Sequence, residues 1–217
     1  MKRRSLLASG TAVLLGGVAA FLLDEGRSEA AAKSVLTREA LFYDPGAPVL
    51  GNPKGTLPIA EFFDYRCPYC RGMHPMLQRL IAANPDIRYV AKEWPVFGGP
   101  SVTAARVALA SNYQGKFDAV NGALFKTHIV DTASVVDAAA QAGVDMKRLE
   151  SDLKASTSEM DSALGTAATQ ALALGLQGTP GFIIGPFLIP GALSEKNLGI
   201  VVRNARAKMA KPPQQKS

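Results

Sequence analysis

Apolar residues along this chain fall into compact runs and into helical repeats, and turn-forming residues separate them. Apolar and aromatic runs at 56–65 and 87–97 predict two buried strands. Between them the apolar side chains recur at helical spacing, which predicts a helix that ends near Asn84 and Pro85. These side chains are Met73, Met76, Leu77, Leu80 and Ile81. The first half of the chain therefore predicts a strand–helix–strand unit.

The segment 101–175 is helical in character throughout, because Ala-rich stretches with good helix propensity dominate it. We expect four residues to punctuate this block: Gly115, Asp131, Gly143 and Gly165. No internal repeat is evident in the sequence. This long helical block lies between strand-forming segments, so the pattern predicts a helical insertion at about 101–175.

The chain returns to strands after this block. Two short apolar runs at 182–184 and 187–189 predict a hairpin, with Gly185-Pro186 as its turn. A last helix is expected to begin after Ser194, a good N-cap residue, and to run to about Met209. The order of elements indicates an α/β fold with an inserted helical subdomain.

Both ends of the chain differ in composition from this core. Residues 33–56 predict a short helix at 35–42 and then a linker rich in Pro and Gly. Residues 211–217 are polar and hold two prolines, so we expect a disordered tail. The core domain is assigned to 57–210.

The N-terminus has the charge pattern of a targeting segment. Lys2, Arg3 and Arg4 precede an uncharged apolar run at 6–23. This pattern predicts that residues 1–32 form a secretory signal peptide, or a membrane anchor if they are not cleaved. We therefore expect the folded part to be periplasmic or otherwise exported, in an oxidising compartment.

Composition narrows the function classes further. The chain has 217 residues, 47% of them hydrophobic and 19% charged, as in an ordinary globular protein with one well-filled core. The formal net charge is +6, but no dense stripe of Lys and Arg with interleaved aromatic residues is present. We expect a solvated basic surface and no nucleic-acid binding.

The chain holds two cysteines, Cys67 and Cys70, and their spacing carries most of the candidate chemistry. A disulfide between them closes only a very small ring. The loop-entropy model gives a disulfide in such a ring a stabilisation of about 2 kcal/mol, against about 5 kcal/mol for a disulfide that closes a long loop. A structural disulfide would be badly placed here, so a redox-active pair fits the spacing better.

Other uses of the two thiols fit the sequence less well. A haem attachment site needs His directly after the second cysteine, where this chain has Arg71. A zinc site needs four ligands, of which Cys67, Cys70 and His74 could supply three. The only other histidine, His128, lies far along the chain. A metal-binding role, with copper or another soft metal, stays open as an alternative, as does a purely structural disulfide.

The position of the pair predicts different chemistry for its two thiols. Cys67 follows a strand directly, and Pro68 suits the first position of the next helix, so Cys67 becomes its N-cap. The partial positive charge of a helix N-terminus favours a thiolate, and Arg66 and Arg71 add charge nearby. We therefore expect Cys67 to attack and Cys70, one turn inside the helix, to resolve the mixed disulfide.

Four segments match one known family in order and spacing. They are Glu61-Phe-Phe-Asp-Tyr-Arg-Cys-Pro-Tyr-Cys-Arg71, Lys92-Glu-Trp-Pro-Val-Phe-Gly98, Gly178-Thr-Pro-Gly-Phe-Ile-Ile-Gly185 and Ile189-Pro-Gly-Ala192. Over roughly 44–210 the chain resembles the DsbA-like thiol:disulfide oxidoreductases, in the exported bacterial branch with ScsC-type and DsbG-like proteins. The resemblance implies a thioredoxin fold that contains the helical insertion.

The resemblance also implies roles for residues around the pair. Pro180 matches the family's cis-proline, which sits against the active disulfide, and Thr179 before it would present backbone groups to a bound peptide. Pro68 and Tyr69, between the cysteines, would tune the redox chemistry, and Tyr69 is expected to be exposed. Thr179 and Pro180 are therefore predicted to bind substrate, and Pro68 and Tyr69 are counted among the candidate catalytic residues.

Glu61 matches the buried acid that the family usually places beneath the active site. It would relay a proton to and from Cys70, since a buried carboxyl has a raised pKa. Lys92, expected beside Glu61 on the neighbouring strand, is counted with it among the candidate catalytic residues. Alternatively, Glu61 would only form a buried ion pair with Lys92. His74, one turn after Cys70, is expected to face solvent.

The sequence therefore predicts an exported enzyme that exchanges disulfides with protein or peptide substrates through Cys67. No cofactor is expected, because the Cys67–Cys70 disulfide itself carries the electrons. A membrane redox partner would reset the pair, and we expect a monomer. The alternative is a non-catalytic exported module that binds copper through the same thiols.

Overall fold

A computed structural model describes residues 34–210 of the chain. The predicted signal or anchor at 1–32 and the predicted tail at 211–217 lie outside the described residues. Within the described part, no helix is long and apolar enough to cross a membrane.

A five-stranded sheet in the order β1-β3-β2-β4-β5 forms the centre of the molecule. The strands are β1 Val49–Gly51, β2 Leu57–Phe63, β3 Ile87–Glu93, β4 Gly181–Ile184 and β5 Phe187–Ile189. The central strands β2 and β3 run parallel, and the remaining neighbours pair antiparallel. The predicted strand–helix–strand unit and the predicted hairpin are both present.

Helices cover both faces of this sheet. They are α1 Arg38–Phe42, α2 Pro68–Ala83, α3 Gly99–Asn112, α4 Phe117–Lys126, α5 Thr132–Gln141, α6 Met146–Ala155, α7 Thr157–Ala173 and α8 Glu195–Ala210. One face packs against α2, α8 and the inserted helices α3 to α6, and the other packs against α1 and the C-terminal half of α7. The fold class predicted from the sequence, an α/β fold with a helical insertion, is confirmed.

The alternation of side chains in the central strands decides which groups reach the active helix. Glu61 pairs with Ala91 and Phe62 pairs with Lys92 in the parallel ladder. Neighbouring residues in a strand point to opposite faces. Glu61 therefore shares its face with Tyr89, Ala91 and Phe63, which pack in the α2-side core.

Two boundaries inside the predicted elements differ from the sequence prediction. Gly165 does not interrupt the helical block, because it lies inside α7. The other punctuating residues do end or begin helices: Gly115 and Gly143 adopt positive φ, and Asp131 accepts a hydrogen bond from the amide of Ser134 as the N-cap of α5. A single glycine is tolerated inside a helix whose neighbours pack well.

Strand β3 ends at Glu93 rather than near Phe97. The amides of Val96 and Phe97 donate to Asp64 Oδ2, at 2.7 Å and 3.0 Å, instead of continuing the ladder. A buried side-chain acceptor has therefore replaced the neighbouring strand as the partner of this segment.

Candidate active site

The turn after β2 places Cys67 at the start of α2. The amide of Cys67 donates to the carbonyl of Asp64 (3.1 Å), which closes the turn. Cys67 is the N-cap of α2, with Pro68 in the first turn, where a missing amide hydrogen costs nothing. Cys67 and Cys70 are both buried and both free thiols in the structure.

The hairpin brings Thr179 and Pro180 against this helix start. The Cys67 thiol donates to the carbonyl oxygen of Thr179 at 3.2 Å. The Thr179–Pro180 peptide bond is cis, as the resemblance implied. The Thr179 hydroxyl is buried and has no hydrogen-bond partner among the described residues, so it is free to donate to a thiolate.

Local hydrogen bonds lower the pKa of Cys67 to about 5. The largest cause is the hydrogen bond from the Cys70 thiol; the Thr179 side chain and the backbone of Cys70 and Tyr69 also lower the pKa, against the effect of burial. The same contact raises the pKa of Cys70, together with burial and the charge of Glu61. The two thiols therefore have very different proton affinities.

The two flanking arginines do not point at the thiolate. The Arg66 guanidinium donates to the carbonyl of Phe97 (2.6 Å), and Arg71 donates to the carbonyl of Thr127. Their charges are not among the causes that lower the pKa of Cys67. Hydrogen bonds at the helix start explain the shift instead of nearby cations.

Glu61 lies in the interior beneath the pair, 1% exposed. Burial raises the pKa of Glu61 to about 8, and a hydrogen bond from Tyr89 opposes that rise. The Tyr89 hydroxyl donates to Glu61 Oε2, whereas Oε1 has no partner within residues 34–210. A carboxyl with this pKa can accept or give a proton near neutral pH.

Lys92 lies on the opposite face of the sheet from Glu61. Its ammonium is 2.7 Å from Asp44 Oδ2 and 3.2 Å from the carbonyl of Ala40. The predicted ion pair between Glu61 and Lys92 is wrong, because Lys92 is in register with Phe62 and so shares the face of Phe62. Lys92 anchors the segment around α1 to β3.

His74 is buried, not solvent-facing as predicted. Its ring stacks on Phe125 of the helical insertion, with centroids 4.2 Å apart. Burial, and to a smaller extent the charge of Lys126, lowers the pKa of His74 to about 4, so its side chain is neutral at physiological pH. The sequence could not show which face of α2 the insertion covers.

An open cleft of about 470 Å³ adjoins the thiol pair. Tyr69, 69% exposed as expected, forms one side of it. The other lining residues come from the two ends of the hairpin: Gly175, Gln177, Gly178, Thr179, Pro180, Pro190, Gly191 and Ala192. The lining carries no charged side chain, so the cleft suits an extended uncharged segment of polypeptide.

Sequence reasoning missed two groups of the site. Asp64 accepts hydrogen bonds from Arg66, Val96, Phe97 and Ser101 and so fixes the turn before Cys67. Tyr89 was missed as the partner of Glu61. The alternation of Tyr89, Ala91 and Glu93 would have placed Tyr89 on the face of Glu61 if the register of the strands had been known.

Among the described residues, no group of three or more His, Cys, Asp or Glu side chains is arranged to hold a metal ion. The ring of His74, which was considered as a third ligand beside the thiols, stacks on Phe125 instead.

The thioredoxin family model matches residues 44–203, which is most of the chain. The chain belongs to the thioredoxin family. Its fold is that of solved thioredoxin-like oxidoreductases.

Several solved structures are similar to this chain over most of its length. A thioredoxin-like oxidoreductase from Silicibacter pomeroyi DSS-3 is 40% identical, with a TM-score of 0.74 over 79% of this chain and 98% of that one. A periplasmic thioredoxin-like protein from Salmonella enterica serovar Typhimurium is 33% identical, with a TM-score of 0.67 over 78% and 95%. The catalytic domain of Proteus mirabilis ScsC is 28% identical, with a TM-score of 0.70 over 84% and 98%.

Matches among curated proteins are to longer chains. The Na(+)/H(+) antiporter NhaA 1 of Mycolicibacterium gilvum (strain PYR-GCK) is 28% identical to this chain over 137 residues, which is 61% of this chain. This chain spans 22% of the length of that relative.

Proposed function

We propose that this chain oxidises dithiols in exported polypeptides and that its Cys67–Cys70 disulfide accepts the electrons. The observation that carries the proposal is the pKa of Cys67, lowered to about 5 by hydrogen bonds at the start of α2. A stabilised thiolate favours the reduced pair, so the corresponding disulfide is a stronger oxidant.

In the proposed reaction a substrate thiolate attacks Cys67 Sγ. A mixed disulfide forms, the Cys67–Cys70 bond breaks, and Cys70 leaves as a thiolate that takes a proton from the Glu61 carboxyl. The second substrate thiolate then attacks the first substrate sulfur, which is bonded to Cys67. The substrate disulfide forms, the bond to Cys67 breaks, and Cys67 leaves as a thiolate. Two electrons pass from substrate to protein, and the substrate gains a disulfide.

The cleft beside the pair is the proposed substrate site. Its uncharged lining and the backbone of Thr179 suit an extended segment that carries the reacting cysteine. Pro68 and Tyr69 would tune the pair from the helix side. A membrane redox partner would remove the two electrons after each cycle, and no cofactor takes part.

A redox equilibrium of the Cys67–Cys70 pair with glutathione tests the direction of electron flow. We expect a potential less negative than about −200 mV, in the range of oxidising thiol–disulfide exchangers. A value near −270 mV, that of thioredoxin, would contradict the oxidising direction. The ultraviolet absorbance of the thiolate should titrate with a midpoint near pH 5, and this signal should vanish in Cys67→Ser.

The two cysteine variants form a matched pair that tests the order of attack. Cys67→Ser should abolish oxidation of a fluorescent dithiol peptide. Cys70→Ser should retain attack but accumulate mixed disulfides, which mass spectrometry detects as covalent adducts. Equal and mild effects of the two variants would contradict the assigned roles.

We also propose that the chain is exported. The positive residues followed by an uncharged apolar run at the N-terminus support this, and a similar solved protein is named as periplasmic. Cell fractionation of the full chain should recover it outside the cytoplasm, with or without removal of the first 32 or so residues. Replacement of Lys2, Arg3 and Arg4 by Glu should retain it in the cytoplasm.

A further inference from the structure

The proton-accepting carboxyl beneath the pair is held by a tyrosine. Tyr89 stands opposite Ile59 and Glu61 stands opposite Ala91, so Tyr89 and Glu61 are diagonal neighbours on one face of the sheet. The Tyr89 side chain is 5% exposed, and its hydroxyl donates to Glu61 Oε2. This bond fixes which carboxylate oxygen is occupied and which is free.

The free oxygen is the one available for chemistry. Glu61 Oε1 is buried and has no hydrogen-bond partner within the described part of the chain. An unpartnered buried oxygen of this kind is costly unless something uses it. Among the neighbouring groups, the Cys70 thiol carries a proton that it must lose during turnover.

We infer that Tyr89 is a positioning residue that holds Glu61 with Oε1 free to exchange a proton with Cys70. The inference rests on the proposed function, since it concerns the proton of the same thiol pair. The Tyr89 hydroxyl donates its hydrogen bond to Glu61, and in this inference Tyr89 acts through that carboxyl.

The proton step balances in both directions. When Cys70 attacks a mixed disulfide on Cys67, its proton passes to the Glu61 carboxylate, and the Cys70 thiolate forms the bond to Cys67 Sγ. The bond from Cys67 to the substrate sulfur breaks, and the substrate leaves as a thiolate. In the oxidising direction the Glu61 carboxyl returns the proton to the departing Cys70 thiolate.

The surroundings of Glu61 leave Tyr89 as its hydrogen-bond donor. Among residues 34–210, the titratable groups on this side of the sheet include Tyr89 and Glu93 of β3, Tyr65 and Asp64 after β2, and the two cysteines and buried His74 of α2. Strand β4 places uncharged Phe182 opposite Glu61, and Lys92 lies on the other face of the sheet. A neutral hydroxyl supports the carboxylate here, in place of the expected ammonium.

The two proton-dependent steps can be watched separately with dithionitrobenzoate. Cys67 of the reduced protein attacks this reagent and releases one thionitrobenzoate. Cys70 then attacks the mixed disulfide and releases a second thionitrobenzoate. This second release reports the step that needs Glu61. Each release is followed by absorbance across roughly pH 6 to 10, which brackets the raised pKa of the carboxyl.

Tyr89→Phe removes only the hydroxyl. The hydrogen bond favours the ionised carboxyl, so its loss should move the midpoint of the second release by about one pH unit to higher pH. Near neutral pH the second release should slow by about ten-fold, whereas the first should stay within about two-fold. Glu61→Gln should remove the dependence of the second-release rate on titration of this carboxyl. Adding Tyr89→Phe to Glu61→Gln should then change that rate no further.

Tyr65→Phe is the matched control. It makes the same chemical change in the same core, but the Tyr65 hydroxyl donates to Glu93 Oε1 (2.8 Å), not to Glu61. We expect it to leave the second-release profile in place. Should Tyr89→Phe not fold, Glu61→Asp provides the second test, because it keeps the acid but withdraws it from Tyr89, and it should slow the second release as well.

The outcomes separate the inference from the proposed function. If no first release depends on Cys67, the proposed function is overturned. If the first release is normal and Tyr89→Phe keeps the wild-type profile of the second, only the role of Tyr89 is overturned. An equal shift in Tyr65→Phe would likewise overturn it, since a general loosening of the core would then explain both.

Discussion

Cys67 and Glu61 have pKa values displaced from their ordinary ranges by different physical causes. Hydrogen bonds lower the pKa of Cys67 to about 5, although burial acts against them. Burial raises the pKa of Glu61 to about 8, although a hydrogen bond acts against it. The thiol is therefore ionised and the acid protonated at neutral pH, which is the reverse of the order in free amino acids.

The raised pKa of Glu61 makes folding stability depend on pH. The folded carboxyl keeps its proton up to about pH 8, whereas in the unfolded chain it titrates near 4.5. Its contribution to stability is therefore complete below about pH 4.5 and is lost as the pH rises toward 8. Glu61→Gln removes this loss. The free energy of unfolding of the variant should therefore rise relative to that of the wild type as the pH increases, by at most about 1.4 kcal/mol per pH unit.

Urea unfolding of the oxidised proteins between about pH 5 and pH 8 measures this gain, because no cysteine titrates in that form. Glu159→Gln, at an exposed carboxyl, is the control and should leave the slope as in the wild type. A constant difference between Glu61→Gln and the wild type across this range would contradict the raised pKa.

Local motifs predicted the positions of individual residues in helices and turns better than they predicted which side chains contact one another. Cys67 as N-cap, Pro68 in the first turn and the turn before β4 could be read from short segments, since capping and turn chemistry are local. The partner of Glu61 could not. If β3 shifted by one position relative to β2, the face of the sheet that carries Glu61 would carry Lys92 instead of Tyr89. Nothing in either strand alone fixes that register.

The turn before Cys67 is the element that carries the site, and Asp64 holds it together. Its carboxylate accepts from the amides of Arg66, Val96 and Phe97 and from the hydroxyl of Ser101. These contacts tie the end of β2, the loop after β3 and the start of α3 into one unit. Because they join distant segments, they also explain why the end of β3 was not predicted.

Asp64→Ala should lower the free energy of unfolding by about 2 to 4 kcal/mol, because it leaves three partly buried amides and the buried Ser101 hydroxyl without their acceptor. Ser101→Ala, which removes one donor and leaves the carboxylate bonded to the amides, should cost about 1 kcal/mol. Chemical denaturation measures both, and hydrogen exchange at Val96 and Phe97 reports the loop directly. A loss below about 1 kcal/mol in Asp64→Ala would contradict the role of this carboxylate.

The molecule as a whole combines a sheet that fixes the thiol pair with a helical insertion that buries one side of α2. The order of strands and helices was predictable, since apolar runs, helical repeats and turn residues alternate clearly along the chain. The contact between the insertion and α2 could not be predicted from the sequence, as His74 illustrates. Its environment depends on Phe125, which arrives from a helix that the local pattern cannot orient.

The redox state should change the global stability in a pH-dependent way. The lowered pKa of Cys67 stabilises the folded reduced form. This stabilisation is lost as the pH falls to about 5, because the folded thiolate is then protonated, whereas the unfolded thiol keeps its proton up to about pH 9. In a Glu61→Gln background, the stability of the reduced form relative to the oxidised form should therefore rise by about 1.4 kcal/mol per unit between pH 5 and pH 8. Paired denaturation curves measure it, and parallel pH profiles of the two forms would contradict it.

The contact between the Cys67 thiol and the Thr179 carbonyl joins residues 112 positions apart in the chain. During synthesis Cys67 therefore emerges long before the segment that completes its surroundings. Until the segment before β4 docks, the thiol lacks the Thr179 side chain that helps to lower its pKa, so that pKa lies closer to the value of an ordinary cysteine. The Cys67 thiolate is therefore fully stabilised only after a segment more than a hundred residues later has docked.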